Sequence, residues 1–131
     1  MEFGYLERNL KEIRGRIRNA ERSVGRKENE VRLIAAVKYA EIEEINELCR
    51  LGVCDLGENR VQQMLEHYEQ LECRDSVRMH FIGSLQTNKV KYIIDKVCMI
   101  HSLDSLKLAA EIDRQAKKHG LCMDVLVEIN T

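Results

Sequence analysis

The 131-residue chain has no proline, no Cys-x-x-Cys pair, no His-Glu-x-x-His motif and no glycine-rich phosphate loop. The missing proline carries no functional information, but each other absence removes a class. Five cysteines, Cys49, Cys54, Cys73, Cys98 and Cys122, stand at wide and irregular intervals. Without four convergent ligands they argue against a zinc site, and they read as reduced, small hydrophobes on helices and strands. Neither Gly-x-Gly-x-x-Gly nor Gly-x-x-x-x-Gly-Lys-Ser/Thr occurs, and Gly83-Ser84 is too short to stand in, so a nucleotide is unsupported. Apolar runs fall far short of the roughly 20 residues a membrane span needs. The opening residues, Met1 to Arg8, lack the basic region and apolar stretch of a signal peptide. Nor is there an excess of charge of one sign: 21 Lys+Arg against 22 Asp+Glu leave a formal −1. That balance offers nothing to a nucleic acid or an anionic membrane. A cytoplasmic protein is expected.

What is present is a soluble, globular composition, 44% hydrophobic and 33% charged, of a length suited to one domain. Leu6, Leu10, Ile13, Ile17, Ala20 and Val24 recur at four- and three-residue steps. They predict an amphipathic opening helix packed onto a sheet, closed by Gly25 and the polar run 26–30. Five strand-like runs follow, at about 31–37, 53–56, 78–82, 98–101 and 123–129. Helical stretches at 41–50, 59–71, 87–96 and 106–118 separate them. Strand–helix alternation at this spacing implies right-handed βαβ crossovers and a parallel sheet, open or part of a closed barrel. The chain, a single domain over 1–131, stops on a strand, which would leave a bare parallel edge. Truncation at the C-terminus is therefore expected.

Each strand-like run ends on polar residues: Lys38, Gly57-Glu58-Asn59, Gly83-Ser84, His101-Ser102 and Asn130-Thr131. Strand C-terminal ends are where α/β sheets place their chemistry. A lysine at the mouth of a buried strand is either a solvated surface residue or, when desolvated, a nucleophile towards an aldehyde. Asn59 is open to two readings, a site residue or a helix N-cap with Gln62 three residues on. Glu58 reads as a surface carboxylate, while His80 and His101 read as hydrogen-bonded strand histidines. Ser84 and Thr87, and Ser102 and Asp104, read as caps of the helices that follow them. Lys89 and Lys91 read as a solvated face able to attract an anion.

Five segments together carry a resemblance. They are Leu33-Ile34-Ala35-Ala36-Val37-Lys38-Tyr39, Leu56-Gly57-Glu58-Asn59-Arg60-Val61-Gln62, His80-Phe81-Ile82-Gly83-Ser84-Leu85-Gln86-Thr87-Asn88-Lys89-Val90-Lys91, Ile100-His101-Ser102-Leu103-Asp104-Ser105 and Val127-Glu128-Ile129-Asn130. In order and spacing the chain resembles the pyridoxal phosphate homeostasis protein family, also described as alanine-racemase N-terminal-domain-like. The resemblance implies an α/β fold, a parallel (β/α)₈ TIM-type barrel with an extra N-terminal helix, here a partial barrel of about five strands. It implies pyridoxal 5′-phosphate in Schiff-base linkage to Lys38, with Asn59 beside the cofactor ring and the His80 and Ser102 strands lining the pocket wall. It also implies a carrier or regulator of the cofactor rather than an enzyme. Val37 stands where many relatives have Ser or Thr. The family's main phosphate-gripping groups, a serine and a glycine-flanked arginine turn near its C-terminus, have no counterpart in these residues.

Two other readings compete. A racemase-like enzyme needs a second acid/base on the opposite cofactor face. Two-domain racemases supply it as a tyrosine from a further domain, and only Tyr39 lies near the rim here. A fragment with little cofactor affinity would instead self-associate, or pair with a missing C-terminal part, to cover its open edges.

Overall fold

The computed structural model describes residues 2–130. Five strands, β1 (Ala35–Ala36), β2 (Asp55–Glu58), β3 (Arg78–Phe81), β4 (Val97–Leu103) and β5 (Asp124–Val127), form one sheet in the order 1-2-3-4-5. Every adjacent pair is parallel. Between them run α2 (Ile42–Arg50), α3 (Val61–Gln70), α4 (Val90–Ile93) and α5 (Leu106–Lys118); α1 (Gly4–Ser23) precedes β1. Strand order equal to chain order decides the architecture. Right-handed crossovers that always step the same way leave every helix on one face. A doubly wound sheet would reverse direction part-way. This is the arrangement of a partial (β/α) barrel.

Alternation along each strand then sorts the side chains. Leu56, Met79, Phe81 and Ile100 turn towards the helices and join Ile45, Met64, Val90, Ile93, Leu108 and Ile112 in the core. Asp55, Gly57, Arg78 and His80 turn to the opposite face, the inside of the barrel curve. Local signals fix the helix starts. Glu41 and Glu44 form a reciprocal capping box on α2, and the Ser105 hydroxyl accepts from Leu108 N at 3.1 Å to cap α5. Caps expected from Ser102 and Asp104 are therefore corrected to Ser105.

Three further expectations change. The first strand reduces to two paired residues, because Val31 to Ile34 have no ladder partner in β2. The helix expected over 87–96 is a 3-10 turn (Thr87–Lys89) running into the single turn α4. The opening helix forms over 4–23, but only Leu10 and Glu21 of it are buried, and Ile13 is 45% exposed. It packs beside α2 rather than onto the sheet. Arg14 donates to the carbonyls of Leu51 and Gly52 at 3.2 and 3.0 Å. The Glu21 carboxylate accepts from Val31 N at 2.8 Å, fastening the loop into β1.

Candidate functional site

The rim follows from the register. Ala36 pairs with Gly57, and Gly57 with His80. Two residues further on, Lys38 and Asn59 leave adjacent strands side by side. Val37 anchors that corner, 1% exposed and donating its N–H to Gly57 O at 3.0 Å. Lys38 is half-buried in the turn that follows. Its ammonium nitrogen lies 5.0 Å from the centre of the Tyr39 ring, a cation–π contact, and it forms no ion pair among the described residues. An open groove of about 330 Å³ runs from Lys38 and Tyr39 along Arg60, Gln63 and Glu66.

Asn59 is half-buried. Helix α3 starts at Val61, two residues later than the expected 59–71 stretch, with Arg60 as N-cap and no side-chain cap bond. The capping reading of Asn59 is therefore corrected, and its amide is left free of that duty. Asn59 lines an adjoining groove of about 500 Å³ with Arg60, Ser84, Gln86, Lys89 and Tyr92. Lys38 and Asn59 thus share one rim but line neighbouring grooves that meet at Arg60 and Gln62.

The other two expected wall residues lie elsewhere. His80 sits one row below the rim, 1% exposed. Its Nε2 lies 2.8 Å from Asp55 Oδ1, and its Nδ1 lies 2.9 Å from His101 Nε2. Asp55 also takes two 2.8 Å bonds from the Arg78 guanidinium. Burial alone would raise the Asp55 carboxyl, but the Arg78 and His80 bonds outweigh it and hold the group below its usual range. Burial first, and the repulsion that a protonated His80 would add second, push the His101 imidazole down. Ser102 is 2% exposed with its hydroxyl unpartnered, where the β4–β5 register is irregular. Neither residue lines the two grooves.

Sequence reasoning missed two features. Glu58 is not a surface carboxylate: it is fully buried, with Oε1 2.6 Å from His67 Nδ1 on α3. Burial raises its carboxyl, His67 only partly opposing, and Oε2 has no partner. The second is the Asp55–His80–His101 chain, one residue from each of three successive strands. No spacing in the sequence marks it, because Asp55 pairs with Arg78 and His80 with Met99, so each member lies two residues beyond the row of the one before. Among the described residues no group of His, Cys, Asp or Glu is arranged to hold a metal ion, and no helix is long and apolar enough to cross a membrane.

No family model matches the chain. A pyridoxal phosphate homeostasis protein of Aquifex aeolicus is 46% identical over 121 residues, covering 92% of this chain and 53% of the relative. This chain belongs to the pyridoxal phosphate homeostasis protein family. It spans about half the length of the curated relatives it matches. Among solved structures, an unknown protein from Bifidobacterium adolescentis superposes with TM-score 0.84 at 34% identity, over 92% of this chain and 53% of that one. PipY of Synechococcus elongatus, solved with pyridoxal phosphate bound, superposes with TM-score 0.75 at 30% identity, over 90% of this chain and 54% of that one. Family membership agrees with the strand order, which places every helix on one side of a barrel-type sheet.

Proposed function

We propose that this chain binds pyridoxal 5′-phosphate through Lys38 and serves intracellular, cytoplasmic homeostasis of that vitamin B6 cofactor without turning over a substrate. The observation that carries this reading is Lys38 itself: a half-buried primary amine, free of carboxylate partners, level with Asn59 at the C-terminal rim of a barrel-type sheet. Such a donor set fits the group, because an aldehyde needs a reachable primary amine that no carboxylate occupies. The cofactor's aldehyde condenses with a primary amine and releases water. The chain's own residues do the rest. Val37 fixes the amine's stem, the Tyr39 ring flanks its head, and the Asn59 amide offers a donor and an acceptor next to it. Arg60 and Lys89 on the same rim place positive charge where a phosphate dianion would be drawn.

A carrier role without turnover accords with the nearest tyrosine. Tyr39 lies against the amine and 86% exposed, a poor position for a proton donor on the opposite face of a planar ligand. The test is chemical. The chain is mixed with pyridoxal phosphate, reduced with borohydride and mapped by peptide mass. A single adduct on Lys38, lost in Lys38→Ala, is the expected result. Labelling scattered over Lys89, Lys91, Lys107 and Lys117 would overturn a specific site. Loss of α-deuterium from amino acids would overturn the absence of turnover.

A further inference from the structure

The inner face of the sheet carries a chain of groups that the proposed function leaves unused. Arg78 holds the Asp55 carboxylate with two bonds of 2.8 Å, and Asp55 is 3% exposed. A carboxylate gripped in this way only accepts. The 2.8 Å contact from Asp55 Oδ1 to His80 Nε2 therefore requires the proton on Nε2. In neutral His80 the other nitrogen, Nδ1, is then a bare acceptor. His101 Nε2 lies 2.9 Å from it and must donate. The ring planes meet at 65°, which suits an edge-on bond rather than stacking. One consequence remains: His101 Nδ1 is left bare, and it makes no hydrogen bond among the described residues.

The position of that nitrogen matters. Phe81 pairs with Ile100, so Ile82 and His101 follow on the same row as Lys38 and Asn59. His101 is half-buried there, three strand spacings of about 4.8 Å from Lys38 round the sheet. We infer that His101 Nδ1 is a hydrogen-bond acceptor on the wall of the mouth opposite Lys38, and that Asp55 and His80 are positioning residues that hold it in that state. It would take a donor group of the ligand, such as a protonated ring nitrogen or a phenol. The ligand assignment rests on the proposed function; the relay does not. The charged and titratable groups around the two rings are Asp55, Arg78, Arg32 and Cys98. Arg32 lies 4.0 Å from Asp55, at the limit of an ion pair. The Cys98 sulfur lies 3.5 Å from His80 Nε2, where it can share the proton but cannot replace the carboxylate.

The test uses the chain labelled with ¹⁵N-histidine and long-range ¹H–¹⁵N correlation, which reads the protonated nitrogen of each ring. Without cofactor, His80 and His101 are both expected to carry the proton on Nε2 at neutral pH. In Asp55→Asn the replacement amide can donate as well as accept, so His80 and then His101 should exchange between tautomers. His80→Gln should unpin His101 by itself, a second route if the first variant does not fold. On addition of pyridoxal phosphate the His101 Nδ1 resonance should move, while His119, at the far end of α5, stays. A cofactor-free His101 protonated on Nδ1 overturns the relay. A Lys38 adduct that leaves His101 unmoved overturns the ligand contact while the proposed function stands. No adduct at all overturns that function and the contact with it, and the tautomers still decide the relay.

Discussion

A Cβ at Gly83 would lie 2.2 Å from the carbonyl oxygen of Asn59 and 2.8 Å from its Cα. The obstacle is backbone, which has no rotamer to change. The loop after β3 therefore presses on the residue after β2, and the glycine sets how close the two can come. Gly83→Ala should lower unfolding free energy by about 1–3 kcal/mol, the usual range for forced overpacking. Urea denaturation reads it, and an unchanged midpoint would mean that Asn59 is not held there. The same variant should weaken the Lys38 adduct, because Asn59 moves with the loop. Cysteine behaves differently at this scale. All five are free thiols, and burial, then Cys73, pushes Cys49 up to about 12. It is a small apolar side chain and no nucleophile.

Glu58 and His67 join the tip of β2 to α3, and their contact makes element geometry depend on pH. Burial raises the Glu58 carboxyl above its ordinary 4.5, so the folded chain keeps a proton that the unfolded chain has lost. Stability contributed here is present below 4.5 and falls as pH rises through the raised folded value. His101 acts with the opposite sign. Its lowered value makes the unfolded chain bind the extra proton, so stability drops as pH falls below 6.5. A variant separates the two contributions. Glu58→Gln keeps an amide bond to His67 and removes only the first slope. The difference in unfolding free energy between variant and parent should shift in the variant's favour above pH 4.5, and a pH-independent difference would overturn the assignment. Element boundaries show what the sequence could and could not say. Helix α5 was legible to the residue, because its stripe and basic end are local. The apolar run at 123–129 yields β5, yet Leu126 and Val127 in it and Ile129 just beyond it are 49, 69 and 77% exposed. Apolar pattern reports what a strand is suited to bury, and not what covers it. The rim of Lys38 and Asn59 was legible because each closes a strand run. The Glu58–His67 and Asp55–His80–His101 contacts were not, because they depend on register between elements.

At the scale of the whole molecule, the sheet has two ends. Among the described residues β1 bonds only to β2, and β5 only to β4. The β5 end combines unpaired backbone donors and acceptors with exposed Leu126, Val127 and Ile129. A parallel edge that exposes three apolar side chains, even flanked by Asp124 and Glu128, recruits another strand. Formal charge of −1 adds little repulsion between copies. The isolated chain should therefore self-associate. Sedimentation velocity over a tenfold concentration range should show a weight-average coefficient that climbs with concentration. Val127→Lys, at a residue 69% exposed, should flatten that rise without unfolding the chain, because Val127 is not part of the core. A monodisperse monomer in the parent would mean that the edge is protected by twist or by its own loop. In that case the Lys38 rim would have to hold its ligand from one chain's five strands alone, and the adduct yield would be independent of protein concentration.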